Sequence, residues 1–221
     1  SKQLTTGHYN TAVGAYAIGS NTASTGSRNS ALGYAANYKN TSGYYNVAMG
    51  YASMYENTTG AANTGVGYNS LGSNTTANNN TGFGAYTLED NSSGTANVAV
   101  GAGALKNNTT ADNNVAIGLD ALMTNTIGSE NVAVGKDTLK ANTTATNNTA
   151  IGHTTLYSNT TGANITAVGR AAQYTGTAVS QSVIVGATAS YYNVGSYKTV
   201  VGYNALAGAS TGSTGTYHTA I

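Results

Sequence analysis

The hydrophobic positions of the chain follow a 17-residue period rather than a helical one. Each copy holds a short motif, Asn-x-small-apolar-Gly, of which Asn97–Gly101 is typical. A second apolar residue stands four positions after the glycine, and a polar Asn-Thr-Thr corner follows. The motif glycine recurs at Gly14, Gly33, Gly50, Gly67, Gly84, Gly101, Gly118, Gly135, Gly152, Gly169, Gly186 and Gly202. A period this short predicts stacked turns, none of which buries its apolar face alone.

The residues around each motif glycine predict strands. Val, Ile and Thr are β-branched and favour extended backbone, while Asn and Gly tolerate the left-handed conformation that corners need. We therefore expect an all-β fold, a parallel β-solenoid of 17-residue turns with two short strands each. The second apolar residue, as in Leu105, Leu122 and Leu139, anchors each turn.

Alternation along the first strand places the small residue and the residue before glycine on opposite faces. Ala99 fits a narrow interior, and Val100, Ile117 and Val134 form a bulkier stripe on the other face, although the reverse assignment is equally compatible with the pattern. One stripe fills the turn and the other needs cover, because an exposed aliphatic stripe promotes aggregation. The pattern predicts lateral association of identical chains. It does not fix their number.

The repeat also predicts the domain organisation. Residues 1–9 form a lead-in, 10–206 the solenoid, and 207–221 the start of a further, irregular repeat. The step from Gly14 to Gly33 is 19 residues and that from Gly186 to Gly202 is 16. A strand motif without its glycine stands at 218–221, from which we expect the solenoid to continue.

Composition excludes several classes of function. A net charge of +1 and 7% charged residues argue against nucleic acid as a partner, because phosphate binding needs concentrated Lys and Arg. There is no Cys, which excludes disulfides, zinc–thiolate sites and thiol catalysis. No apolar run approaches the length of a membrane helix, so we expect no membrane insertion.

Candidate chemistry is sparse. The three histidines, at 8, 153 and 218, are isolated, and Asp120 and Asp137 lie one turn apart beside lysines, which is typical of a solvated charge cluster. Glu89 and Lys106 form an expected surface pair. We predict no catalytic residue, no cofactor and no metal, and hence no enzyme.

Tyrosines supply the most distinctive side chains, because residues one period apart stack above each other. The predicted columns are Tyr34, Tyr51 and Tyr68; Tyr38 and Tyr55; and Tyr157, Tyr174 and Tyr191, with Tyr192 at an irregular corner. Such ladders stabilise a sheet by stacking. They can also contact a glycan or another protein through their rings and hydroxyls.

Threonines form a second set of columns, at Thr58, Thr75, Thr109, Thr143 and Thr160. Regular Thr arrays can order water, which makes ice binding a remote alternative. A hydroxyl in a corner beside Asn more often caps backbone groups.

The motif Asn-x-Ala-Val/Ile-Gly, followed by Ala-Leu and Asn-Thr-Thr-Gly, resembles the head repeats of YadA-type trimeric autotransporter adhesins and the repeats of phage tail fibres and bacterial tail-fibre-domain proteins. The resemblance spans roughly residues 10 to 206. It implies a left-handed parallel β-roll, a homotrimer, display on a virion or bacterial cell surface, and host attachment. The adhesin turns are shorter than 17 residues, so collagen binding is not carried over.

Together these patterns predict a non-enzymatic structural and adhesive fibre segment, extracellular and trimeric. A self-assembling extracellular filament is the main alternative. A fibre-borne glycanase is a remote one, for which site residues are lacking.

Overall fold

The fold is all-β. The computed structural model describes residues 6–19, 24–192, 195–208 and 218–221, and these contain no helix. They divide into two compact units, Ser1–Asp112 and Asn113–Ile221. Part of the predicted lead-in (1–5), part of the irregular corner (193–194) and most of the last predicted repeat (209–217) lie outside the described residues.

Six short strands form the first unit, and each pairs in parallel with the next along the chain. The strands are β1 (Thr11–Val13), β2 (Ser30–Leu32), β3 (Val47–Met49), β4 (Thr64–Val66), β5 (Thr81–Phe83) and β6 (Val98–Val100). Val47 is opposite Thr64, a separation of 17 residues, whereas Thr11 is opposite Ser30. The 17-residue turn and the longer first step are thus confirmed.

Seven strands form the second unit, again parallel and in chain order. They are β7 (Val115–Ile117), β8 (Val132–Val134), β9 (Thr149–Ile151), β10 (Ile165–Val168), β11 (Ser182–Val185), β12 (Lys198–Val201) and β13 (His218–Ala220). Val183 is opposite Thr199, as the 16-residue step predicts. Each unit is therefore a parallel β-solenoid.

The expectation of two strands per turn is wrong: each described turn has one strand of three or four residues. After the motif glycine, alternate residues are left-handed, as at Ala52 (φ 51°) and Met54 (φ 55°), so no extended run forms there. Backbone hydrogen bonds nevertheless continue between turns in this segment, for example from Met54 N to Ser70 O at 2.9 Å. The segment after each motif glycine is therefore hydrogen-bonded to the next turn even though it is not a strand.

The narrow interior is lined by the small motif residues, which resolves the two assignments left open by the sequence. Ala99 is 0% exposed, while Val98 and Val100 face outward and are half-buried. The second apolar residues are also fully buried, at Met54, Leu71, Leu88, Leu105, Leu122, Leu139 and Leu156. The predicted anchors thus form the core.

Left-handed backbone occurs at the motif glycines, as expected, and also at residues whose type does not favour it. The motif glycines have φ between 115° and 139°, as at Gly101 and Gly186, and an added Cβ at Gly50 would lie 2.4 Å from Gly67 O. The motif and corner asparagines, such as Asn97 and Asn91, do not take this role, but the buried leucines do, with Leu105 at φ 51°. Asparagines directly before the motif position are left-handed, at Asn79, Asn113, Asn147 and Asn164. A Leu in this region is strained and persists only where packing and hydrogen bonds determine it.

The corner asparagines and the motif asparagines form two buried hydrogen-bonded ladders. In the corner ladder, Asn91 Nδ2 donates to Asn74 Oδ1 (3.1 Å) and to Gly94 O (2.9 Å), and Asn91 Oδ1 accepts from Asn108 Nδ2 (2.8 Å). In the motif ladder, Asn63 Nδ2 donates to Ala77 O at 2.8 Å. Each amide therefore satisfies backbone carbonyls that the tight corners leave inside the solenoid.

Candidate surface-binding site

Two tyrosine columns of the first unit enclose an open groove. It has a volume of about 470 Å³ and is lined by Tyr16, Tyr34, Ala35, Tyr38, Tyr51 and Tyr55. Tyr34 and Tyr51 stand one position after a motif glycine and Tyr38 and Tyr55 five positions after it, so consecutive turns place the two pairs side by side. We call this feature the tyrosine groove.

The tyrosine groove brings together four of the predicted binding residues. Tyr34 and Tyr51 stack with ring centroids 5.1 Å apart and an interplanar angle of 12°, and Tyr38 and Tyr55 stack at 5.1 Å and 21°. Tyr68 continues the first column at 5.4 Å from Tyr51 but does not line the groove. The predicted stacking of both columns is therefore confirmed.

The ring faces of the first column are covered at both ends. Tyr16 meets Tyr34 edge-on at 5.6 Å, and Tyr86 meets Tyr68 at 5.1 Å and 65°. The ring faces of this column are therefore not accessible to a ligand. It presents ring edges and phenolic hydroxyls, with Tyr34 47% and Tyr51 52% exposed.

The third predicted column lies in the second unit. Tyr157, Tyr174 and Tyr191 stack at 4.9 and 5.0 Å, nearly parallel, and Tyr192 packs edge-on against Tyr191 at 4.5 Å. Burial raises the pKa of Tyr191. His153, Arg170 and Ala187 follow the glycines of these turns, so no tyrosine column stands beside this one.

The residues that line the groove are Tyr and Ala, and an ion pair lies beside one of the lining rings. Lys39 Nζ lies 2.7 Å from Glu56 Oε2 and 5.4 Å from the centroid of the Tyr55 ring. The hydrogen bond to Glu56 raises the pKa of Lys39. The groove is therefore close to neutral and favours ligands with hydroxyls and apolar edges over strongly charged ones.

Sequence reasoning missed Tyr16 and Tyr86. Both stand two positions after a motif glycine, where the other columns have no member, and the 19-residue first step takes Tyr16 out of the 17-residue register. Alignment on the glycines instead of a constant period places Tyr16 one turn before Tyr34. That alignment is the signal by which it could have been found.

The outer face of each sheet is apolar. In the first unit, the position before glycine is exposed by 46% at Leu32, 40% at Met49 and 56% at Phe83, and in the second unit by 40% at Ile117 and 41% at Ile151. These positions, with the residue two before them, contain only Val, Ile, Leu, Met, Phe, Thr and Ser, and none of these residues is charged. The side chains on this outer face thus form an uncharged strip, with an apolar residue before every motif glycine and Val, Thr or Ser two residues earlier, which we call the outer strip.

Threonine hydroxyls of the predicted columns point into the backbone. Thr58 Oγ1 donates to Thr75 O at 2.9 Å, and Thr143 Oγ1 donates to Thr160 O at 3.2 Å. The hydroxyl protons are thus bound to the next turn, as expected for corner caps. Nothing in this arrangement favours ice binding.

The charged residues form structural pairs. Lys140 Nζ lies 2.8 Å from Asp137 Oδ1 and 3.0 Å from Asp120 Oδ2, and these hydrogen bonds raise the pKa of Lys140. Lys106 pairs with Glu89 at 3.3 Å, as predicted. The described residues include no group of three or more His, Cys, Asp or Glu that could hold a metal ion.

His8 and His153 lie in different units, and the side chain of His218 lies outside the described residues. A search of the described residues for helices long and apolar enough to cross a membrane finds none. No protein-family model matches the sequence, and no curated protein or solved structure is significantly similar to it.

Proposed function

We propose that this chain is a non-enzymatic structural and adhesive segment of an extracellular surface fibre, in which identical chains associate through their outer strips. The observation that carries the proposal is the outer strip itself. It repeats once per turn in each unit, and Phe83 and Ile117 remain 56% and 40% exposed. An uncharged strip with an exposed apolar side chain at every turn of a parallel sheet is an aggregation risk in water unless a matching surface covers it.

Two details of the proposal, the assembly of three chains and the left-handed winding of each roll, rest on the resemblance to trimeric adhesin heads and tail-fibre repeats. A repeated strip suits such an assembly, because identical chains in axial register place the same residue of each chain at the same level. The same resemblance implies that the fibre is displayed on a virion or a bacterial cell surface.

The adhesive part of the proposal depends on the tyrosine groove. Tyrosine provides a large contact area at low entropic cost, and its hydroxyl both donates and accepts hydrogen bonds. Between the two columns, ring edges and hydroxyls repeat at about 5 Å, set by the stacking distances of 5.1 Å. A surface glycan or a protein loop with regularly spaced polar groups is the partner that this groove fits.

Native mass spectrometry tests the assembly. At micromolar concentration we expect a particle of about three times the 22.1 kDa of one chain. A monomeric mass contradicts lateral packing. An open series of larger masses favours the filament alternative.

A panel of immobilised bacterial surface polysaccharides tests adhesion. We expect the triple variant Tyr34→Ser, Tyr51→Ser, Tyr68→Ser to lose retention on any polysaccharide that retains the native chain. The double variant Tyr157→Ser, Tyr174→Ser is the matched control, since it interrupts a stacked column with no neighbouring tyrosine column. Equal loss in both variants would indicate a general effect on stacking and remove the adhesive role of the groove.

A further inference from the structure

Arg28 differs from Lys39 and Lys106 in that it contacts tyrosine rings without a carboxylate partner among the described residues. Lys39 pairs with Glu56 and Lys106 with Glu89. Within the described residues, no carboxylate pairs with Arg28; its guanidinium carbon lies 5.6 Å from the ring centroid of Tyr9 and 5.4 Å from that of Tyr45. A cation is thus held between two aromatic rings in a chain with few charges.

The backbone fixes this arrangement. Tyr9, Arg28 and Tyr45 each precede the motif Asn of successive turns, and all three are left-handed, with φ of 61°, 58° and 57°. Arg28 N donates to His8 O at 2.9 Å, and Tyr45 N donates to Ser27 O at 3.2 Å. The three side chains therefore leave the same corner of consecutive turns, one above another, which makes their order a consequence of the fold.

The surroundings leave this corner open. Tyr9 is 81% exposed and Tyr45 52%, and Tyr44 packs edge-on against Tyr45 at 5.4 Å. Arg28 itself is exposed. The guanidinium carbon thus lies over two tyrosine rings, while the exposed side chain leaves N–H groups that a ligand can reach.

We propose that Tyr9, Arg28 and Tyr45 form a binding site for a carboxylate, carried by an acidic sugar or a similar small acid. A guanidinium donates two parallel hydrogen bonds to the two oxygens of one carboxylate. Stacking between tyrosines removes much of the conformational freedom that an exposed Arg would lose on binding, so the entropic cost falls.

Planarity favours a carboxylate over a phosphate. A carboxylate that accepts two parallel N–H bonds lies in the guanidinium plane, and the two tyrosine rings limit the space on either side of Arg28. A phosphate is tetrahedral, so two of its oxygens project out of that plane toward the tyrosines. The tyrosine edges and the hydroxyl of Tyr44 then remain for the sugar ring.

This site is distinct from the tyrosine groove, and its test is independent of assembly and of adhesion. The chain is titrated with galactose, galacturonate and galactose 6-phosphate, which share one ring and differ at one carbon. The Arg28 Nε–Hε resonance is followed by NMR. We expect galacturonate to shift it saturably and to bind at least about tenfold more tightly than galactose, as one charge-assisted bidentate contact provides.

Two variants assign the binding to the stacked guanidinium. Arg28→Lys keeps the charge but loses the planar fork, and should weaken galacturonate binding about tenfold when measured by calorimetry or ligand-observed NMR. Arg170→Lys in the second unit is the matched control and should leave binding unchanged. Tighter binding of galactose 6-phosphate than of galacturonate, no saturable binding of either acid, or equal losses in both variants would each overturn the proposal.

Discussion

Backbone conformation at single positions determines how closely successive turns approach. At Gly169 the backbone is left-handed, with φ 130°, and an added Cβ would lie 2.5 Å from both Gly186 C and Gly186 O. Only a residue without a side chain fits there. The sequence predicts this requirement, because a glycine that recurs at every turn signals positive φ or close approach.

We therefore expect Gly169→Ala to lower the free energy of unfolding by about 2 kcal/mol or more, from backbone strain and the contact with the next turn. Gly208 provides the control, since an added Cβ there meets nothing within 4 Å. Gly208→Ala should change stability by less than about 0.5 kcal/mol. Thermal and denaturant unfolding followed by circular dichroism measure both. Similar small effects in the two variants would contradict the close approach.

Lys198 occupies the place that Asn holds in the ladder of earlier turns, and it is 1% exposed. Its Nζ donates to Ser190 Oγ at 3.2 Å. Burial lowers the pKa of Lys198 from 10.5 to about 8. Because the unfolded chain holds this proton to a higher pH than the folded chain does, raising the pH above about 8 favours the folded state.

The expected result is a free energy of unfolding that increases between about pH 8 and pH 9.5, by at most about 1.4 kcal/mol per pH unit, before tyrosines titrate. Lys198→Met keeps the volume and removes the charge, so its stability should be flat over the same range and higher than that of the native chain below pH 8. Denaturant titrations at several pH values measure the slope. An unchanged slope in Lys198→Met would assign it to another group.

At the scale of the repeated turn, hydrogen bonding inside the solenoid replaces much of an ordinary apolar core. The leucine column and the small motif residues provide the apolar part of the interior, and the two Asn ladders are buried beside them. A buried ladder of this kind is stabilising only when every amide is paired, since an unpaired buried group costs about 1–3 kcal/mol.

Asn91 is suited to a test of the corner ladder, because it both donates and accepts. Asn91→Ala removes the donors to Asn74 Oδ1 and Gly94 O and the acceptor of Asn108 Nδ2. We expect a loss of about 2 kcal/mol or more in the free energy of unfolding. Asn107→Ala, at a half-buried position with no described side-chain hydrogen bond, should cost less than about 0.5 kcal/mol. Equal effects would show that the ladder adds little.

For the repeated turn, the sequence predicts the period and the register correctly but not the number of strands. Period, register and the inward direction of the leucines follow from the spacing of Gly101, Leu105 and their equivalents, because a period is preserved when turns stack. The number of strands does not follow, since φ at Ala52 and Met54 is left-handed although neither residue type favours it. Interior hydrogen bonds force that conformation, and propensity cannot reveal them.

In the candidate site too, the sequence predicts part of the geometry, the stacking of the tyrosines, but not the groove. Tyr34 and Tyr51 are predicted to stack because they are one period apart, and they do. Enclosure of a groove depends on the distance between two columns and on Tyr16, which is out of register. The 19-residue step likewise takes Tyr9 out of register with Arg28, whereas Tyr45 is one regular period of 17 residues after Arg28.

For the molecule as a whole, the outer strip makes association the central expectation. A charge on this strip is tolerated in water and strongly unfavourable within an apolar contact between chains. The double variant Ile117→Glu, Ile151→Glu changes two outward residues that are 40% and 41% exposed. It should keep its circular dichroism spectrum and shift the native mass from the multimer to 22.1 kDa.

Thr144→Glu, Thr161→Glu is the matched control, because it adds the same charge at two exposed corner positions of the same unit. This variant should keep the mass of the native chain, since the corners lie away from the outer strip. Sedimentation velocity at several concentrations and salt levels measures both. If both variants keep the multimer, the chains associate through another surface; if both dissociate, added charge alone is responsible. Dissociation confined to the strip variant assigns the interface to the aliphatic residues before each motif glycine.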